Sequence, residues 1–149
     1  MGAITIRELL PSDHRAVAFA FAHLGAQSRY QRYFSPKDEL APHELARLMS
    51  VDHWHHEAMI AFSASPRTPI GIARYLRLDD FEAAEVAIEV VDDWQHRGVG
   101  TALLAALSER ARGAGIRHFH VSMLRGNRGA RALVSHFAPA TVLAAAGNV

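Results

Sequence analysis

The chain contains no cysteine. That absence removes disulfides, thiolate zinc sites and cysteine nucleophiles, and it is compatible with a reducing compartment. Lysine is almost missing as well. Lys37 is the only one, so a self-modification on lysine has a single target. No apolar run reaches the ~18 residues that suggest a membrane-spanning helix. The opening MGAITIRELLPSD has no basic region followed by an apolar stretch, so it is not a secretory signal. Ile6 stands where an N-myristoylation pattern asks for Ser or Thr. A cytoplasmic protein with no membrane partner is expected. There is no Gly-Lys pair for a P-loop and no Gly-x-Ser-x-Gly for a nucleophile elbow. Repeats and low-complexity linkers are lacking; the alanine-rich stretch 138–146 is the only biased segment.

What is present is the composition of one soluble domain over residues 1–149, 50% hydrophobic and 21% charged. A chain of this length buries roughly 68–70% of its unfolded surface. The net charge of +1 favours no class of partner, but the charges are segregated. Between Arg77 and Arg97 stand Asp79, Asp80, Glu82, Glu85, Glu89, Asp92 and Asp93, with no lysine or arginine. From Arg110 to Arg131 there are six arginines and no acid. Adjacent segments of opposite sign suit a polyanionic and a cationic ligand, or else two solvated faces that balance each other.

Hydrophobic spacing and breakers give the order β-α-α-β-β-β-α-β-α-β, a mixed α+β sheet with helices on its faces. Ala3–Glu8 reads as a strand. A helix with Ser12 or Asp13 as N-cap is expected to run to about Gln27, carrying Val17, Phe21 and Leu24 on one stripe. Pro42–Met49 reads as a short helix. Ala58–Ser63 and Ile70–Leu78 form a hairpin, and Glu85–Val91 is the next strand. Gly98–Ala114 is the clearest helix, ended by Gly113 or Gly115. His118–Met123 is a strand, Gly129–Phe137 a helix and Thr141–Ala145 a short final strand.

The stretch that carries chemistry is Gln95-His96-Arg97-Gly98-Val99-Gly100-Thr101, which leaves a strand and enters the long helix. Its glycines allow a ligand to approach the backbone, and the unpaired N–H groups of a first helical turn attract anions. Arg97 adds a charged donor. The expected ligand is a phosphate or pyrophosphate, unless the glycines merely start a tightly packed helix. A dinucleotide-binding fingerprint is excluded because Leu103 stands where a third glycine belongs and the preceding strands are antiparallel.

Val90 to Ala114, with its V-x(4)-Q-x-R-G-x-G start, resembles the coenzyme A-binding motif of the GCN5-related N-acetyltransferases. The likeness continues to Asn127 in Leu124-Arg125-Gly126-Asn127. Ser28–Phe34, Ile70–Tyr75 and Ala84–Ala87 are similar to the acetyltransferase domain of bacterial protein lysine acetyltransferases. The resemblance implies a single acyltransferase domain of that fold, with acetyl-coenzyme A as cosubstrate. It implies that the backbone of Gln95, His96, Arg97, Gly98, Val99, Gly100 and Thr101 holds the pyrophosphate. The strand end Ile88–Val90 would pair with the pantetheine arm, and the Val90 amide would face the thioester carbonyl. Asn127 would contact the pantetheine or the sulfur end, with Arg128 and Arg131 as candidates for nearby phosphates.

A lysine amine has a pKa near ~10.4 and must lose a proton before it attacks, which calls for a general base. Glu85 matches the strand glutamate that serves this purpose in the resembled lysine acetyltransferases, acting directly or through water. Glu89 is the second choice on the same face. Two departures stand out. Val134 occupies the position where many members carry a tyrosine acid, and only about one of two final strands fits after Pro139. With no cysteine to carry an acetyl group, the expected reaction is direct attack within a ternary complex, on a protein lysine. A small amine or a protein N-terminus is the alternative acceptor. A non-catalytic acyl-coenzyme A sensor and a structural subunit are the alternative functions, and a homodimer is compatible with either.

His53-Trp54-His55-His56-Glu57 places His53, His55 and Glu57 on one face of an extended segment, but no further metal ligand is evident and none is assigned. Asp52 and His56 are candidates for substrate positioning. Tyr30, Tyr33 and Phe34, with Arg29 and Arg32, have the interleaving of a single-strand nucleic-acid binder. Packing onto the sheet beside the acceptor cleft is the preferred reading, with no nucleic-acid partner.

Overall fold

The computed structural model describes residues 3–64 and 66–122, together with 129, 132 and 133. Five strands form one sheet in the order β1 (Ile4–Glu8), β2 (His56–Ser63), β3 (Pro69–Arg77), β4 (Ala83–Val90), β5 (His118–Val121). The first three pairings are antiparallel and β4–β5 is parallel. The parallel pair follows from its crossover, the helix α4 (Val99–Gly113), which carries the chain back over the sheet. The remaining helices are α1 (His14–Ala22), α2 (Ala26–Tyr33) and α3 (Pro42–Leu48). This is the expected α+β architecture of the resembled acyltransferases, as far as the described residues extend.

Register assigns the faces, because residues opposite each other on paired strands project to the same side. Glu85, Ala87 and Glu89 share a face with Leu76, Arg74 and Ile72 of β3 and with His56, Ala58 and Ile60 of β2. The first three helices cover this side: Arg32 of α2 reaches Glu89, and Arg74 reaches the carbonyl of Leu48 in α3. Val86, Ile88 and Val90 point to the other side, against α4. Gly71 is there because α4 lies so close. A Cβ on it would stand 2.9 Å from Leu103 Cδ1 and 3.2 Å from Val99 Cγ1. Helices on both sides explain why β2 is buried at every position.

The core lies on both sides of the sheet, built from Ile60, Ile70, Ile72 and Tyr75 with Val17 and Ala20 of α1 and Leu103 and Leu107 of α4. Several expectations need correction. The first helix stops at Ala22, not near Gln27, and a separate helix, Ala26–Tyr33, begins after Gly25. Gly25 is the extended N-cap residue of that second helix and packs against the loop after β4, where a Cβ would stand 2.5 Å from the Asp92 carboxylate. Asp13 is the N-cap by position, but its carboxylate does not cap α1. It accepts both Arg7 guanidinium nitrogens, at 2.7 and 2.9 Å, and the Leu10 N–H. At the end of α4 it is Gly115, at φ +82°, that takes the left-handed conformation. Met123, the helix 129–137 as a whole and the strand 141–145 lie outside the described residues.

Candidate functional site

The loop between β4 and α4 is pinned from within. Gln95 uses its side-chain amide to donate to the Val90 carbonyl at 3.0 Å and to Ser28 Oγ at 3.1 Å. Ser28 in turn donates to Asp92 Oδ1 at 2.8 Å. The Gln95 side chain therefore ties the loop to the strand end and to α2, so that only its backbone faces a ligand. Ser28 and Asp92 are the contributors that sequence reading missed, since nothing local links positions 64 residues apart.

Beyond this clamp the backbone alternates in hand. His96 has φ +62° and Gly98 φ +86°, while Arg97 between them is not left-handed. Such alternation turns successive N–H groups toward one concavity. The first helical hydrogen bond on the Gly98 carbonyl comes from Ala102, and no side chain caps the helix. The amides of Val99, Gly100 and Thr101 thus have no partner among the described residues, at the positive end of a 15-residue helix dipole. Arg97 is exposed, its guanidinium 4.9 Å from the Trp94 ring centre. Such an arrangement is suited to an anion, with a cation at its rim.

The second feature is the edge of β4. Pairing with β5 ends at Val86↔Val121, yet β4 continues to Val90, held only by β3 among the described residues. The Val91 N–H donates to Ile70 of β3, so by strand alternation the polar groups of Val90 and Ile88 point away from β3. The Val90 carbonyl takes the Gln95 side chain, which leaves the Val90 N–H and the Ile88 groups facing the open edge. An extended ligand could lie there as an added strand, with its anionic end at α4.

The two candidate bases differ sharply. Glu85 is exposed, flanked by Leu76 on β3 and His120 on β5. It sits five residues before Val90, roughly 16 Å along a strand that rises ~3.3 Å per residue. Glu89 is next to Val90 but buried, and Arg32 Nε approaches its carboxylate at 3.6 Å. Around it stand Tyr33 and Arg74. Burial, with Glu89 nearby, pushes the Tyr33 phenol up to about 12, so it is neutral at physiological pH. Burial lowers the Arg74 guanidinium to about 10, still cationic. Arg74 Nη1 donates to the Leu48 carbonyl at 2.7 Å and to His56 Nε2 at 2.9 Å. The other ring nitrogen, Nδ1, lies 2.9 Å from the Ser50 carbonyl, which fixes it as the protonated one. Arg74 was not among the residues singled out from sequence.

His53 and Glu57 are 2.9 Å apart, whereas His55 turns to Asp52 at 2.9 Å. Among the described residues no three such groups converge on a point. Asp52 holds the turn instead, accepting the N–H groups of Trp54, His55 and His56, and these hold its carboxyl well below the usual range. Tyr33 packs edge-on against Phe21, while Phe34 is exposed. Asn127, Arg128, Arg131 and Val134 lie outside the described residues.

Residues 11–137 match the Acetyltransferase (GNAT) family. Among curated relatives, the acetyltransferase Pat of Mycolicibacterium smegmatis is 28% identical over 130 residues, covering 87% of this chain. The chain spans only 39% of that protein's length. The acetyltransferase PA5475 of Pseudomonas aeruginosa is 26% identical over 132 residues, 87% of this chain and 71% of that one. Among solved structures, the GNAT domain of S. lividans PAT superposes with a TM-score of 0.85 at 26% identity, over 91% of this chain and 80% of that one. Among the described residues, no helix is long and apolar enough to cross a membrane.

Proposed function

For a chain that belongs to the acetyltransferase (GNAT) family, we propose transfer of an acetyl group from acetyl-coenzyme A to a primary amine, by direct attack in a ternary complex within one domain. The observation that carries this reading is that, among the described residues, the first-turn amides on α4 have no partner and the β4 edge beside them is open. A pyrophosphate fits the first and a pantetheine arm the second. The backbone of Gln95, His96, Arg97, Gly98, Val99, Gly100 and Thr101 holds the pyrophosphate, and Ile88 and Val90 pair with the arm. Asn127 contacts the pantetheine end.

In the reaction the amine nitrogen bonds to the thioester carbon, and the carbonyl oxygen gains the negative charge. The Val90 N–H donates to that oxygen and stabilises it. Glu85 takes the ammonium proton through intervening water, as its separation from Val90 requires. Collapse of the tetrahedral adduct breaks the carbon–sulfur bond; the nitrogen releases its second proton to solvent, and the thiolate takes one from solvent. A protein lysine is the favoured acceptor. The exposed acids Asp79, Asp80, Glu82 and Glu85 form one border of the sheet, suited to a cationic chain.

The test is Glu85→Gln. Loss of a general base lowers kcat by about 10²–10⁴-fold. Calorimetric titration with coenzyme A should give the same affinity as the parent. Unchanged turnover across a panel of lysine peptides and amines, read as thiol release, would exclude Glu85 as base. No coenzyme A binding by the parent protein would remove the reading altogether.

A further inference from the structure

The acceptor side of the sheet holds a buried cluster with more donors than acceptors. Arg74 is 4% exposed, and its Nη1 is fully engaged by Leu48 and His56. Its Nη2 has no partner among the described residues, nor has the Tyr33 hydroxyl. The nearest carboxylate, Glu89, is 7% exposed and paired with Arg32. Two guanidiniums therefore face one carboxylate, and His56, with its Nε2 lone pair given to Arg74, contributes no charge. The Arg32 guanidinium lies 4.5 Å from the centre of the Tyr33 ring, which fixes the ring's orientation.

Leaving such donors unpaired away from water is costly, so these positions select for an oxygen. Water can satisfy the hydrogen bonds but not the excess positive charge. A carboxylate does both, because its oxygens accept from a guanidinium nitrogen or a phenol hydroxyl and its charge offsets the excess. The cluster adjoins Val90 along β4, through Glu89, and lies on the face that also carries Glu85.

Taking the location of the acceptor from the acetyl-transfer reading, we propose that Tyr33 and Arg74 form an acceptor subsite for a carboxylate carried by the amine substrate. Arg32, paired with Glu89, orients the Tyr33 ring, and Leu48 and His56 hold Arg74. The carboxylate comes either from the substrate's own amino-acid group or from an acidic residue beside a peptide lysine.

Calorimetric titration of the intact protein, saturated with coenzyme A so that no acetyl group is transferred, tests this with matched pairs. Lysine is compared with 1,5-diaminopentane, and an N-acetylated Lys-Asp amide with its Lys-Asn counterpart. In one pair the carboxylate member should bind about tenfold more tightly, the usual scale for a charge-assisted bond, and that pair identifies the source. Tyr33→Phe should erase most of this difference. Its melting temperature should not fall, because the hydroxyl it removes has no partner. Arg74→Gln should act in the same direction. Equal affinities within both pairs, no binding by any of the four, or a preference that survives Tyr33→Phe would each overturn the subsite. Acetylation of both members at equal rates would leave acetyl transfer standing without it. A carboxylate preference lost in Tyr33→Phe, with no thiol release from any amine, would leave the subsite without the transferase.

Discussion

Gly98 is held at φ +86°, and among the described residues no heavy atom other than those of its chain neighbours lies within 4 Å of where a Cβ would be. A side chain there has room, so its cost is entirely backbone. For a non-glycine residue that cost is about 1–2 kcal/mol, and less for asparagine. Gly98→Ala should lower unfolding stability by about that amount, and coenzyme A affinity should fall because the first-turn amides rotate with the backbone. Gly98→Asn should lose less of both. Denaturant melts and calorimetry read the two effects; equal losses for alanine and asparagine would show that the conformation is not what matters. His96, left-handed as well at φ +62°, has no such exemption and stores strain in the same turn. Sequence marks Gly98 as a glycine needed by the turn, but the same strain at His96 is invisible until the backbone is traced.

At the scale of elements, α4 and β4 are fixed to each other by close approach. Gly71 admits Leu103 and Val99 over β3, and a Cβ on Gly100 would stand 3.8 Å from Val90 Cγ2. Gly71→Ala places a methyl group 2.9 Å from Leu103 Cδ1 and 3.1 Å from the Glu89 carbonyl. Overpacking of this kind costs about 1–3 kcal/mol. Because α4 must retreat from the sheet, coenzyme A binding should weaken as well, whereas an equally destabilising change in the β1 edge strand should leave it intact. Comparing the two at matched stability tests whether helix position controls the anion site. The clamp of Ser28, Asp92 and Gln95 belongs to the same scale. Ser28→Ala removes one half-buried end of it and should cost about 1 kcal/mol or less, with a higher KM for acetyl-coenzyme A and little change in kcat. A lower kcat at unchanged KM would contradict a clamp that only shapes the loop.

For the whole molecule, titration couples folding to acid in two stages. His56 is pushed below its ordinary 6.5, first by burial and then by Arg74, against weaker opposing effects of Ser50, Asp52 and Glu57. The unfolded chain therefore takes up this proton first, so the His56 contribution is complete above pH ~6.5 and is lost as pH falls below it. Asp13 is held below its ordinary 3.8 chiefly by its hydrogen bonds from Arg7, and Asp52 by the backbone of its turn. Their contribution is complete above pH ~4 and disappears as these carboxylates are protonated. The melting temperature should decline gently below pH ~6.5 and steeply below ~4. His56→Gln should remove the first stage and spare the second. A flat profile between pH 7 and 5 in the parent protein would refute the role of His56.

The succession of strands along the chain, the long crossover helix and the glycine-bearing loop that precedes it were legible in the amino-acid sequence, because each rests on local chemistry. Alternation marks a strand, a 3.6-residue stripe marks α4, and two glycines flanking Val99 just after an arginine mark a turn that lets a ligand approach the backbone. Glu85 and Glu89 could be placed on one face by counting alone. Their difference could not: one is exposed, while the other is buried beside Arg32 through a contact 57 residues away. The break between α1 and α2, the Ser28–Asp92–Gln95 clamp and the unpaired donors of Tyr33 and Arg74 likewise arise between segments distant in the chain. Local pattern fixes what each segment becomes. Only folding brings a buried charge to its partner, or leaves a donor without one, because desolvation acts on the assembled interior.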